Sequence, residues 1–215
     1  MLNPVAYNAD KLYTKLINVY TESSPNPNSM KFVLNTMLSG DDDFVRDYDN
    51  ATLASESPLA SAIFNFPFVR RVFLTKNFVT VTKNEDIPWE DIIQGMKVFL
   101  KDYFESGKPV MDAEEFENNM KKEWQAQQLR INENDSETIK KIKGILDEYI
   151  RPAVEGDGGA IAFHDYQENE GILTVTLQGS CSGCPSSTVT LKAGIENLFR
   201  NMMPDKVKTV VSQNK

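Results

Sequence analysis

The strongest constraint on this chain is the charged, weakly patterned stretch from Ser106 to Asp135, which separates two regions of clear strand and helix periodicity. Gly107 and Pro109 end the helical pattern before it. Asp112, Glu114, Glu115 and Glu117, followed by Asn, Lys and Gln residues, then offer no broad apolar face. The stretch has room for one marginal helix over 113–129, with Phe116, Met120, Trp124 and Leu129 along one side, and would then act as a semi-rigid arm. A chain divided in this way is expected to form two folded regions. It is expected to be α+β, with two small α/β-sandwich domains: residues 1–105, a polar linker able to carry a helix at 106–135, and residues 136–215. With 215 residues and 40% hydrophobic content, there is material for two cores.

In the first region Ser24-Pro25-Asn26-Pro27-Asn28 is a turn cluster leading into an alternating strand, Met30 to Asn35. Val19-Tyr20-Thr21 before it fits a strand or the end of a helix. Pro58 suits the first turn of a helix through Phe64, with Leu59, Ala62 and Ile63 on one face. The β-branched and aromatic runs 69–74 and 78–82, joined by Thr75-Lys76-Asn77, predict a hairpin. From Pro88 to Phe104 the residues Trp89, Ile92, Ile93, Met96, Phe99, Leu100 and Tyr103 recur at helical spacing and mark a core-facing stripe.

The second region opens at Ser136, a residue suited to an N-cap, followed by Ile139, Ile142, Ile145, Leu146 and Ile150 at helical spacing, with Pro152 at or near the helix end. Glu155 to Gly159 is a dense turn signal before a strand, Ala160 to His164. Glu168 to Gly171 turns the chain into a second strand, Ile172 to Leu177. A helix with apolar residues at 191, 195, 198 and 199 follows, and Val207 to Val211 closes the region. The order α-β-β-α-β predicts a small sheet with both helices on one face.

Between the second strand and the second helix lies Gly179-Ser180-Cys181-Ser182-Gly183-Cys184-Pro185, which holds the only two cysteines of the chain. Gly179 and Gly183 let the backbone turn sharply, and Pro185 fixes φ at the start of the helix, so these three shape the loop. A thiol at a helix N-terminus is favoured as thiolate, the form that binds metal. Two thiolates are half of the usual four-cysteine set of an iron–sulfur cluster, and the simplest completion is a second copy of the chain. The same spacing also fits a zinc half-site, a dithiol redox pair or an unused pair. The loop is expected at the end of the sheet, with both cysteines near solvent.

Other residues carry less. His164, the single histidine, reads as a strand residue and not as a ligand. Asp157-Gly158-Gly159 reads as a turn, and Ser180, Ser182 and Ser186 as loop hydroxyls able to donate toward cluster sulfides. No GxxxxGK[ST], GxSxG or HExxH pattern is present, which points away from an enzyme. The net charge of −8 argues against non-specific nucleic-acid binding. No apolar run approaches the ~20 residues of a membrane span. The N-terminus lacks a signal-peptide core and an Arg-rich transit pattern, and closely spaced free thiols suit a reducing compartment, so a cytoplasmic location is expected.

Ile150-Arg151-Pro152-Ala153-Val154 running into Asp157-Gly158-Gly159, with the cysteine loop continuing to Thr190-Leu191-Lys192 and Gly194-Ile195-Glu196, resembles the C-terminal domain of NifU, the Nfu domain. Ser24 to Phe32, Ser57 to Ala60, Val72-Phe73, Phe78 to Lys83 and Trp89 resemble the N-terminal domain that accompanies it in Nfu proteins. One departure is Ala160, where the family often has Asp. The resemblance implies an iron–sulfur cluster scaffold or carrier, with Cys181 and Cys184 as ligands of a cluster shared between two subunits, 4Fe-4S before 2Fe-2S. It further implies a homodimer when loaded, with upstream assembly proteins and apo iron–sulfur proteins as partners. The alternatives are a dithiol oxidoreductase, which would turn over disulfides without iron, and a zinc-bridged structural dimer.

Overall fold

The computed structural model describes residues 16–40, 44–112, 135–182 and 185–214. The helix suggested for 113–129 lies outside them. The protein is α+β, and each half has its own sheet and core.

The N-terminal half runs β1 (Val19–Ser23), β2 (Ser29–Leu34), β3 (Val45–Tyr48), α1 (Pro58–Phe64), β4 (Val69–Thr75), β5 (Phe78–Lys83) and α2 (Ile93–Glu105). Its strands form an antiparallel sheet in the order β1-β2-β5-β4-β3. The strand period of two puts Phe32, Leu34, Val72, Leu74, Val79 and Val81 on one face, where they pack with Leu59 and Ile63 of α1 and Met96 and Leu100 of α2. Helix α1 starts where Ser57 accepts a hydrogen bond from the Ala60 amide and Pro58 supplies a preset φ. The β4–β5 hairpin turns through Lys76, which takes a φ of +42°.

Two features of this half differ from the sequence expectation. Strand β3 has no counterpart in it, because one of its inward positions is a charge. Arg46 is buried between Phe44 and Tyr48 and pairs with Glu56 at 3.3 Å, so the apolar alternation is interrupted. The helix expected from Pro88 begins instead as a 3₁₀ turn, Trp89–Asp91, and the α-helix starts at Ile93. The Trp89 indole N–H donates to the Pro27 carbonyl at 2.9 Å and ties that turn to the Ser24–Asn28 cluster.

The C-terminal half runs α3 (Glu137–Ile145), a wide π turn (Leu146–Ile150), α4 (Arg151–Gly156), β6 (Gly159–Gln167), β7 (Ile172–Gly179), α5 (Pro185–Met202) and β8 (Thr209–Asn214). β6 pairs antiparallel and β8 parallel with the central β7. Ile142, Ile145 and Leu146 from the first helical run, and Ile195 and Phe199 from α5, cover Ile161, Phe163, Leu173, Val175 and Leu177 on one sheet face, as the order of elements predicts. Pro152 does not end the first helical run. The π turn comes before it and the helix resumes through Gly156, because a proline lacks the N–H and crowds the carbonyl four residues back, and a widened turn relieves both.

The second face of the N-terminal sheet is covered by the C-terminal half. Val33, Phe73 and Phe78 form a small buried cluster there, against which Val45 and Ala160 pack.

Candidate functional site

The cysteine loop leaves β7 at Gly179, whose φ of +67° belongs to glycine. A side chain at this position would also meet the Gly158 carbonyl at 2.8 Å, the Gly159 Cα at 2.9 Å and the Phe73 ring at 2.9 Å. Gly158, at φ +83°, sits directly across the same contact. The glycines therefore allow the Asp157-Gly158-Gly159 turn and the start of the cysteine loop to stack backbone on backbone, with the N-terminal domain pressed against both.

Polar contacts from the N-terminal domain fix this arrangement. The Gly179 amide donates to Asp47 Oδ2 at 2.9 Å, and Asp47 is held by Arg71 through two bonds of 2.7 and 2.8 Å. The Asn26 side-chain amide donates to the Ser180 carbonyl at 3.3 Å. The Thr80 hydroxyl donates to the Gly158 carbonyl at 2.8 Å, and Lys76 pairs with Glu155 at 2.6 Å. Within the loop, the Ser180 hydroxyl donates to the Asp157 carbonyl at 2.6 Å and that of Thr188 to the Cys181 carbonyl at 3.2 Å.

Cys181 is 6% exposed, which corrects the expectation of cysteines near solvent. Its side chain joins the apolar core of the C-terminal domain, and its Sγ lies 3.0 Å from where a Cβ on Gly159 would stand. Burial pushes the thiol up to about 11; the Ser180 hydroxyl, 3.8 Å from the Cys181 Sγ, acts against this, and the Asp157 carboxylate adds a smaller push upward. In this state Cys181 is a neutral thiol. Cys184 and Gly183 lie outside the described residues. Helix α5 starts at Pro185, the residue after Cys184, as the loop-before-helix reading expects, and Ser186 is in its first turn.

Of the other hydroxyls, that of Ser180 donates to the Asp157 carbonyl and also lies 3.8 Å from the Cys181 Sγ, whereas Ser182 Oγ is buried with no hydrogen-bond partner. His164 is exposed at a bulge inside β6, not at a strand end, and plays no part in this arrangement. Among the described residues no group of three His, Cys, Asp or Glu side chains is placed to hold a metal, so a cluster would need thiolates from more than the part of the loop seen here. The sequence reading missed Asp47, Arg71, Asn26 and Thr80. Their side chains lie far from the loop along the chain, and no local motif announces them.

A two-domain α+β chain with a paired-cysteine loop between strand and helix is the class that fold and site define. Two family models match it: the scaffold protein Nfu/NifU N-terminal domain over residues 19–107 and the NifU-like domain over residues 142–211. Among curated proteins, the chain is 39% identical over 190 residues to "NifU-like protein 5, mitochondrial" of Arabidopsis thaliana, covering 87% of this chain and 65% of that protein. It is 38% identical over 188 residues to "NFU1 iron-sulfur cluster scaffold homolog, mitochondrial" of Drosophila erecta, covering 87% and 62%. The chain thus spans somewhat under two thirds of the length of these relatives. A solution structure of a NifU-like protein from Saccharomyces cerevisiae superposes with a TM-score of 0.39 at 25% identity, over 46% of this chain and 87% of that one. The chain belongs to the NifU-like (Nfu) family.

The cytoplasmic expectation is corrected by the same relatives, which are named as mitochondrial proteins. The error was to take a need for reduced thiols as a mark of the cytosol, a need that any other reducing compartment meets equally well.

Proposed function

We propose that this protein is an iron–sulfur cluster scaffold or carrier, in which Cys181 and Cys184 supply two of the four thiolates and a second copy of the chain supplies the other two. The observation that carries this reading is the placement of the chain's only two cysteines on a glycine-turned loop next to the N-terminus of α5, in a chain whose two domains match the Nfu family in order. The favoured cargo is a 4Fe-4S cluster, with 2Fe-2S the smaller alternative.

A cluster divided between two chains is held by thiolates that an acceptor's thiolates can replace one at a time. Transfer to an apo-protein then proceeds by ligand exchange, without a dedicated catalytic base. The partners of such a cycle are an upstream assembly protein, a second copy of this chain and apo iron–sulfur proteins. The Drosophila erecta relative is named as a scaffold homolog, which favours a carrier over an enzyme.

Anaerobic reconstitution with iron and sulfide, with metal, sulfide and oligomeric mass measured together, tests this reading. The expected result is about four iron and four sulfide per dimer, lost in Cys181→Ser. A monomer that binds no iron, or a chain without either cysteine that still acquires a cluster, would overturn it.

A further inference from the structure

The N-terminal domain grips the cysteine loop by its backbone. Asp47 Oδ2 accepts from the Gly179 amide, Asn26 donates to the Ser180 carbonyl, and Thr80 holds the Gly158 carbonyl beneath them. These three anchors flank Cys181 on one side and fix the turn on which its sulfur rests. The apolar part of the contact is small: Phe73, Phe78 and Val33 against Ala160. At its edge lies one ion pair, Lys76–Glu155, with side chains 37% and 24% exposed.

Such a joint has the composition of a transient interface and not of a domain core. Few apolar groups are buried, most bonds go to backbone atoms, and the tether between the domains makes the association intramolecular, so modest contacts suffice to hold it. Ala160 fits this picture. An aspartate at that position would place a carboxylate against the Phe73–Phe78 pair, whose rings lie 6.2 Å apart, and its burial would be costly.

We propose that the N-terminal domain is a built-in restraint on the ligand loop: docked, it pins Gly179 and Ser180 so that Cys181 faces the core, and it must release them before the Cys181 sulfur can turn outward to a cluster shared with a second subunit. This rests on the reading of Cys181 as a cluster ligand. The docked chain is then the closed, cluster-free form. Binding of an assembly protein or of a second subunit draws on the open form, whose population the joint sets.

The test is the rate of Cys181 alkylation by iodoacetamide in the cluster-free 215-residue chain, read by peptide mass mapping. The chains compared are the unaltered protein, Glu155→Lys, Ala160→Asp, and Glu155→Lys combined with Lys76→Glu. Glu155→Lys sets two ammonium groups against each other at the joint, and Ala160→Asp charges its apolar patch; neither touches a domain core. Each is expected to speed labelling by about tenfold while both domains stay folded by circular dichroism, and the charge-swapped double variant is expected to return to the slow rate. Should Ala160→Asp fail to fold, the Glu155→Lys chain and its charge-swapped partner decide alone. Equal labelling rates in all folded chains would overturn the restraint. Iron content after reconstitution is scored apart from this: fast labelling without iron sinks the cluster reading and leaves the restraint standing, whereas unchanged labelling with a full cluster does the reverse.

Discussion

The two faces of the N-terminal sheet bury their residues in different ways. Toward α1 and α2 the face is continuous and apolar, with Phe32, Leu34, Val72, Leu74, Val79 and Val81 nearly or fully buried. Toward the C-terminal domain it mixes Val33, Phe73 and Phe78 with Lys31, Asp47, Arg71 and Thr80, and Asp47, Thr80 and Lys31 bond to backbone atoms of the other domain. The first face makes a domain. The second makes a joint, and the joint is where the cysteine loop sits. The contrast teaches that one sheet can build a domain core on one side and a mostly polar, backbone-directed joint on the other.

The largest effect that would sharpen the contrast is expected from core truncation. Phe32→Ala in the N-terminal core, or Phe199→Ala in the C-terminal core, should cost about 3–5 kcal/mol in the affected domain, by lost transfer energy and an unfilled cavity. Chemical denaturation followed by probes in each domain checks this, and an equal loss in both domains from either change would show that the joint couples them as one core.

Asp47→Asn comes next. It leaves the Arg71 guanidinium without its charged partner and weakens the acceptor for the Gly179 amide, so a loss of about 1–3 kcal/mol is expected, together with faster hydrogen exchange at Gly179. Unchanged exchange there would mean that Asp47 serves its own domain alone. Thr80→Val removes one neutral hydrogen bond to the Gly158 carbonyl at nearly constant shape, and is expected to cost about 1 kcal/mol by the same denaturation measurement.

The smallest effect at neutral pH is that of Cys181 ionisation. The folded thiol is pushed from 9.0 up to about 11, so the folded chain binds its proton more tightly than the unfolded chain. The stabilisation is complete below pH 9 and is lost as pH rises through 11. The stability difference between the unaltered chain and Cys181→Ala should therefore be flat up to about pH 9 and narrow above it. A difference that instead widens as pH rises toward 9 would mean a thiol more acidic in the folded chain than in the unfolded one, and so an exposed Cys181 and a looser joint.

Much of the fold was legible in the sequence because its signals are local. Alternation marked β2, β-branched and aromatic runs marked β4 and β5, turn clusters placed β6 and β7, Pro58 and Ser136 announced helix starts, and helical spacing gave the inner faces of α2, α3 and α5. Strand β3 escaped because Arg46 occupies an inward position whose partner, Glu56, stands beyond the strand. The continuation of the helix past Pro152 escaped because the π turn that admits it leaves no composition signal.

The sequence by itself determined that the two cysteines stand three residues apart just before a helix, that Gly179 can turn the chain into their loop, and that two patterned regions flank a polar stretch, since each of these is a matter of residue type and spacing. Only the tertiary structure decided that Cys181 faces inward and that Asp47, Asn26 and Thr80 hold the loop there. Those contacts join positions 78 to 154 residues apart. A buried carboxylate or a small residue at a sheet surface is intelligible only once the opposing backbone is in place to accept it.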